Sequence, residues 1–236
     1  MPHALAASRR DASIALVALL MLLLWEASGL DLTLTRWIAT PQGFPWRDSL
    51  LASHLLHDGG RVLAWAVLLL LVVDAFRPFA PGPSRKQRAQ GIAMVLAGLV
   101  LVPLIKRVSA TSCPWDLAEF GGRATYVPHW LIGVTDGGPG HCFPSGHAVA
   151  SFAFFGVYFL WRHHRPRAAR IVLIAVLGLG IAFGWGQWVR GAHFISHTLW
   201  TAWLCWVIAA LGSRAWPAHR AGGFAAPAVA TTLPVR

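Results

Sequence analysis

At 236 residues, with 56% hydrophobic and 12% charged side chains, the chain is too apolar for a soluble domain of that length and reads as an integral membrane protein. A formal net charge of +11 would suit a nucleic-acid binder, but the basic residues are shared out between alternate loops, so no nucleic-acid partner is expected.

Six apolar runs lie at roughly 13–30, 60–76, 90–105, 146–161, 171–189 and 197–212. With interfacial flanks, each approaches the ~20 residues that a helix needs to cross about 30 Å of hydrocarbon. The expected fold is all-α: a polytopic membrane bundle of six transmembrane helices forming a single domain over 1–236. The first run follows Arg9 and Arg10 and is trailed by the small-residue stretch EASG, as in a secretory signal. Five further spans favour a retained helix.

Thirteen of the twenty Lys and Arg residues fall in alternate segments: Arg9 and Arg10; Arg77, Arg85, Lys86 and Arg88; Arg162, Arg165, Arg167 and Arg170; Arg214, Arg220 and Arg236. By the positive-inside rule these segments are cytoplasmic, as are both termini. Trp37, Trp46, Trp115, Trp130, Trp161, Trp188 and Trp216 fall near span ends, where interfacial aromatics belong. Ahead of the second span, residues 44–58 suit an interfacial amphipathic segment, and His54, His57 and Arg61 in SHLLHDGGR are candidates for head-group contacts.

The longest outer loop, 107–144, joins the third and fourth spans and is expected to contribute to a site. It contains Cys113 and Cys142, which are either a disulfide, if that side is as oxidising as a periplasm, or two unrelated small residues. Lys106 stands at the outer end of the third span, as a snorkelling anchor or as part of a site. After the loop comes PSGH. There a proline-fixed turn, Ser145 as helix cap and Gly146 permitting close approach would expose the first amides of the fourth span to an anion.

The fifth span ends in GQWVRGAHFISH. At helical spacing Gln187, Arg190, His193 and His197 share one face, provided the backbone stays helical through Gly191. Ionisable groups at membrane depth are costly, and several together usually face a cavity with a task. Lysine and arginine suit the charge of a phosphate, and two imidazoles can divide the work of nucleophile and acid. His193 and His197 also have the i, i+4 spacing of metal ligands, though no zinc-protease pattern accompanies them.

These residues resemble the type 2 phosphatidic acid phosphatase (PAP2) family, whose three signatures are KxxxxxxRP, PSGH and SRxxxxxHxxxD. KRVSATSCP (106–114) matches the first with Cys113 in the arginine position. PSGH (144–147) matches the second in full. QWVRGAHFISH (187–197) matches the third loosely, with Gln187 where the arginine would be, His193 as the histidine and His197 in place of the aspartate. The resemblance covers roughly residues 60–212.

It implies cofactor-free, metal-independent hydrolysis of a phosphorylated membrane lipid through a phosphohistidine, at the periplasmic face of a bacterial inner membrane. His193 would be the nucleophile and His147 the acid, while His197, neutral and backed by Asp116, Glu119 or Asp136, would orient His193. Lys106, Ser145 and Gly146 would hold the phosphoryl group, with Arg190, Arg107 and Arg123 as substitutes for the absent arginines. A phosphotransferase using the same intermediate and a non-catalytic lipid or anion carrier are the alternatives.

Overall fold

The computed structural model describes residues 2–131 and 133–215. Arg220, Arg236 and Trp216, invoked above for topology, lie outside the described residues.

The described chain is mostly helical along its apolar runs. Helix α1 (Pro2–Ser28) is followed by a short α2 (Leu30–Arg36). A π-helical stretch, Leu50–Asp58, continues directly into α3 (Gly59–Phe76). Helix α4 (Arg85–Arg107) starts with a capping box: Ser84 Oγ accepts from Gln87 N while Gln87 Oε1 accepts from Ser84 N. Beyond the outer loop come α5 (Val149–Phe152), α6 (Phe155–Trp161), α7 (Pro166–Val189), with its proline in the first turn, and α8 (Ile195–Ala215).

Among the described residues, five helical segments are long and apolar enough to cross a membrane: Ala6–Ser28, Leu50–Phe76, Arg85–Arg107, Pro166–Val189 and Ile195–Arg214. The chain therefore forms an all-helical membrane bundle. The run 146–161, expected as a sixth span, gives only the shorter apolar stretch Val149–Trp161, divided between α5 and α6 at Ala153 and Phe154. At ~1.5 Å per residue it covers about 20 Å, less than the hydrocarbon thickness.

α8 is central, packing against α1, α4, α6 and α7. The core is built from Met94, Val95, Val102, Phe152, Phe155, Phe159 and Trp206. Gly156 lets α6 approach α4 closely, since a Cβ there would lie 3.2 Å from the Gly91 carbonyl oxygen and 3.1 Å from Met94 Cβ. Such small-residue contacts are how helices associate where lipid supplies no hydrophobic drive. Leu24, Leu69 and Ile174 point outward from α1, α3 and α7, as a lipid-facing surface requires.

One end of the bundle is held by ion pairs. Arg88 is buried against Asp74 and also donates from Nε to the Pro83 carbonyl and from Nη2 to that of Ala80, pinning the 77–84 loop. Arg162 Nη1 contacts both Asp11 carboxylate oxygens at 2.8 Å, and Arg214 Nη2 donates to the Ser8 carbonyl, which brings the start of α1 and the end of α8 to this same end. Lys106, the outer loop and the α7–α8 junction gather at the other end.

Candidate active site

At that second end, α7 stops at Val189 and Gly191 adopts a left-handed conformation with φ 73°. A side chain there would also collide with the Phe44 ring. The helix therefore does not continue through Gly191, and the expected single polar face from Gln187 to His197 is broken. His193 sits in the turn, with its amide and that of Ala192 both bonded to the Gln187 carbonyl, and His197 lies in the first turn of α8. That first turn is capped from a distance: Asp31, buried between α1 and α8, accepts from Ser196 N at 3.0 Å and from Trp25 Nε1 at 2.9 Å.

The turn delivers His193 to a cavity of about 380 Å³, whose walls include His57, Arg61, Lys106, Cys113, His147 and Gln187. Lys106 Nζ lies 3.5 Å from His193 Nε2. An ammonium can only donate, so Nε2 carries the lone pair and Nδ1 the hydrogen. Nδ1 in turn lies 3.4 Å from His197 Nδ1 and 3.5 Å from the Cys142 sulfur. This tautomer of His193 follows from the Lys106 ammonium beside its Nε2. Burial, reinforced by the Lys106 charge, holds the basicity of His193 well below that of an ordinary imidazole.

His147 is anchored differently. Its Nε2 donates to the Leu56 carbonyl at 2.9 Å, and its ring stacks on His57 with centroids 4.6 Å apart. Burial pushes its pKa down to about 4. Gly146 faces Lys106, where an added Cβ would lie 3.3 Å from Lys106 Cδ.

Several expectations are corrected. The Ser145 amide is not free for an anion: it donates to the His197 carbonyl, and the Ser145 carbonyl accepts from Thr201 Oγ1, so this residue splices the PSGH turn onto α8. Arg190 does not line the cavity: its Nε donates to the Arg47 carbonyl at 2.9 Å, while its charge still reaches His147. Arg107 and Arg123 are exposed and do not line the cavity.

The three loop acids expected behind His197 are committed elsewhere. Asp136 accepts from Ser112 N, Ser112 Oγ and Gly138 N, Asp116 from Cys113 N, and Glu119 pairs with Arg36. The outer loop contributes His129 instead. Its ring stacks on Phe143 at 3.8 Å and lies edge-on to His197 at 6.0 Å, and its Nε2 is 3.4 Å from the carboxylate of Glu26 on α1. Neither residue belongs to a motif; an acid inside an apolar run was the signal that could have found Glu26.

Cys113 and Cys142 are joined in a disulfide, with Cα atoms 5.1 Å apart. It ties the arginine position of the first motif to the residue two before PSGH. It also disarms the group formed by Cys142, His193 and His197, whose ligand atoms lie within 4.8 Å of one another, because the sulfur is no longer a thiolate.

The profile of the PAP2 superfamily matches residues 89–221. The chain belongs to this superfamily. Its members are phosphatases, which supports hydrolysis of a phosphoric ester. No curated protein and no solved structure matches the chain. The matched segment spans α4 to α8 and so contains Lys106, His147, His193 and His197, whereas His57, Arg61, Asp31 and Glu26 lie before it.

Proposed function

We propose that the protein is an integral membrane phosphatase that removes a phosphoryl group from a lipid through a phosphohistidine on His193. The observation that carries this reading is the contact of Lys106 Nζ with His193 Nε2 at 3.5 Å in a cavity shared with His147. An ammonium beside a lone pair, with no carboxylate between them, is a place where a phosphoryl oxygen and phosphorus can be held together.

His193 Nε2 attacks phosphorus in line with the leaving oxygen. The P–N bond forms as the P–O bond breaks, and the positive charge on the ring is relieved toward His197 Nδ1 through the Nδ1 hydrogen. The leaving oxygen takes a proton from His147. Its ring, already bonded through Nε2–H to Leu56, gains the second proton because an anion in the cavity favours the charged form. Water then attacks phosphorus with His147 as base, the P–N bond breaks, and phosphate departs. Lys106 meets the charge spread over the equatorial oxygens throughout.

A lipid is favoured because the cavity lies at one end of a bundle whose flanks are apolar, so a head group can enter while its tails stay in the bilayer. Arg85, Arg88, Arg162 and Arg165 at the opposite end support an inner-membrane orientation with that end and both termini cytoplasmic, six crossings including the short α5–α6 segment, and a site facing the periplasm. The reading is metal-independent, in keeping with the disulfide that occupies Cys142.

The test is release of free phosphate from a panel of lipid phosphates by the full chain in detergent with EDTA present, using His193→Ala as control. Turnover that survives the chelator and vanishes in the variant is expected. Loss of turnover to EDTA overturns metal independence, and turnover by His193→Ala overturns the phosphohistidine.

A further inference from the structure

Two guanidiniums expected of this superfamily's motifs are missing at their own positions, since Cys113 and Gln187 stand there. Of the arginines nearest in sequence, Arg190 is bonded through Nε to the Arg47 carbonyl and does not line the cavity, though its charge reaches His147, and Arg107 and Arg123 are exposed outside the lining. Two other groups do face the space in front of Lys106 and His193. Arg61, in the first turn of α3, is the guanidinium lining the cavity among the described residues. It comes from outside the segment that matches the superfamily.

The second group is Gln187. Its side chain is 3% exposed, lines the cavity, and its Nε2 has no hydrogen-bond partner among the described residues. A buried amide left without an acceptor costs about 1–3 kcal/mol, a cost seldom retained without a reason. Lys106 and Arg61 make the cavity cationic, so an anion entering it meets this unpartnered amide as a further donor.

We infer that Arg61 and Gln187 complete the phosphoryl cradle with Lys106, the guanidinium arriving from the second span and the carboxamide donating Nε2–H to a phosphoryl oxygen. The inference rests on the phosphatase reading and names the ligands of that same site. The π-helical entry to α3 assists, because it sets Leu56 under His147 and places His57 and Arg61 on the cavity wall. His57, hydrogen-bonded through Nδ1 to Asp58 at 3.0 Å and stacked on His147, keeps the acid and the cradle in one block.

The experiment measures orthovanadate binding to the purified full-length chain by titration calorimetry, alongside turnover of a lipid phosphate, for Arg61→Ala, Arg61→Lys, Gln187→Met and Gln187→Glu. Arg61 is exposed and Met matches the shape of Gln, so the fold is retained, and unchanged melting followed by tryptophan fluorescence verifies this. Loss of a charge-assisted bond is expected to weaken vanadate binding about tenfold to a hundredfold in Arg61→Ala, with part recovered in Arg61→Lys. Gln187→Met weakens it about tenfold, and Gln187→Glu weakens it further through repulsion. Wild-type vanadate affinity in both Arg61→Ala and Gln187→Met overturns the inference. Weakened binding in the variants of a chain that turns over no lipid phosphate keeps the cradle and removes the phosphatase reading instead.

Discussion

His193 and His197 face each other through their Nδ1 atoms at 3.4 Å, where the superfamily motif pairs a histidine with an aspartate. An imidazole acceptor can fix the tautomer of His193 as a carboxylate does, but it brings no negative charge to the ring that becomes positive during attack. His197→Ala is therefore expected to lower kcat about tenfold to a hundredfold with little change in KM, the usual scale for losing an orienting partner. Full activity in His197→Ala, measured beside an inactive His193→Ala, ends the orienting role.

Acid should affect activity and stability together. Burial holds His129 and His147 at about 4 in the folded chain, against an ordinary value near 6.5. At pH 7 both states are neutral and their contribution is complete. As pH falls from about 6.5 toward 4, the unfolded chain takes up protons that the folded chain refuses, so stability drops across that window. A Tm in detergent that declines from pH 6.5 to 4 is expected, and a flat profile contradicts the burial of these rings. The acid limb of kcat/KM should likewise lie below 6.5, because His193 is held down as well.

Reduction should loosen the site. The Cys113–Cys142 bridge closes a loop across a sequence separation of 29, for which chain entropy suggests about 3–4 kcal/mol. Cys113→Ser, Cys142→Ser or a strong dithiol reductant should lower both Tm and turnover. Two freely alkylating thiols at positions 113 and 142 in the untreated protein, counted by mass, contradict the bridge.

Asp31 joins three helices beside the His193 turn through its bonds to Trp25 and Ser196. Removing it leaves a helix-start amide unpaired, so Asp31→Ala should cost about 1–3 kcal/mol of stability and shift the His193 turn, reducing kcat. Asp31→Asn retains an acceptor oxygen and should be mild by both readouts. Equal damage from Asn and Ala indicates that the charge, not the acceptor, matters there.

Sequence patterns disclosed most of what is local. The apolar runs located the five long candidate spans among the described residues, although α1 begins well before residue 13 and the second span begins at Leu50, and the three motif fragments named Lys106, His147, His193 and His197, which the structure brings to one end of the bundle. The extrapolation of helical spacing through Gly191 failed, because a left-handed glycine ends the periodicity on which that argument depended. Assigning Asp116, Glu119 or Asp136 to His197 failed because loop acids are drawn to the nearest unpaired loop amides, as at Ser112 and Gly138.

By itself the sequence determined that this is a helical membrane protein of the PAP2 type, since hydropathy and short motifs are properties of neighbouring residues. Only the tertiary structure decided which cations share a cavity with His193. Arg61 and Lys106 lie on different helices, Gln187 ends a third, and their convergence depends on how α3, α4 and α7 pack, a relation between distant segments that no local spacing records.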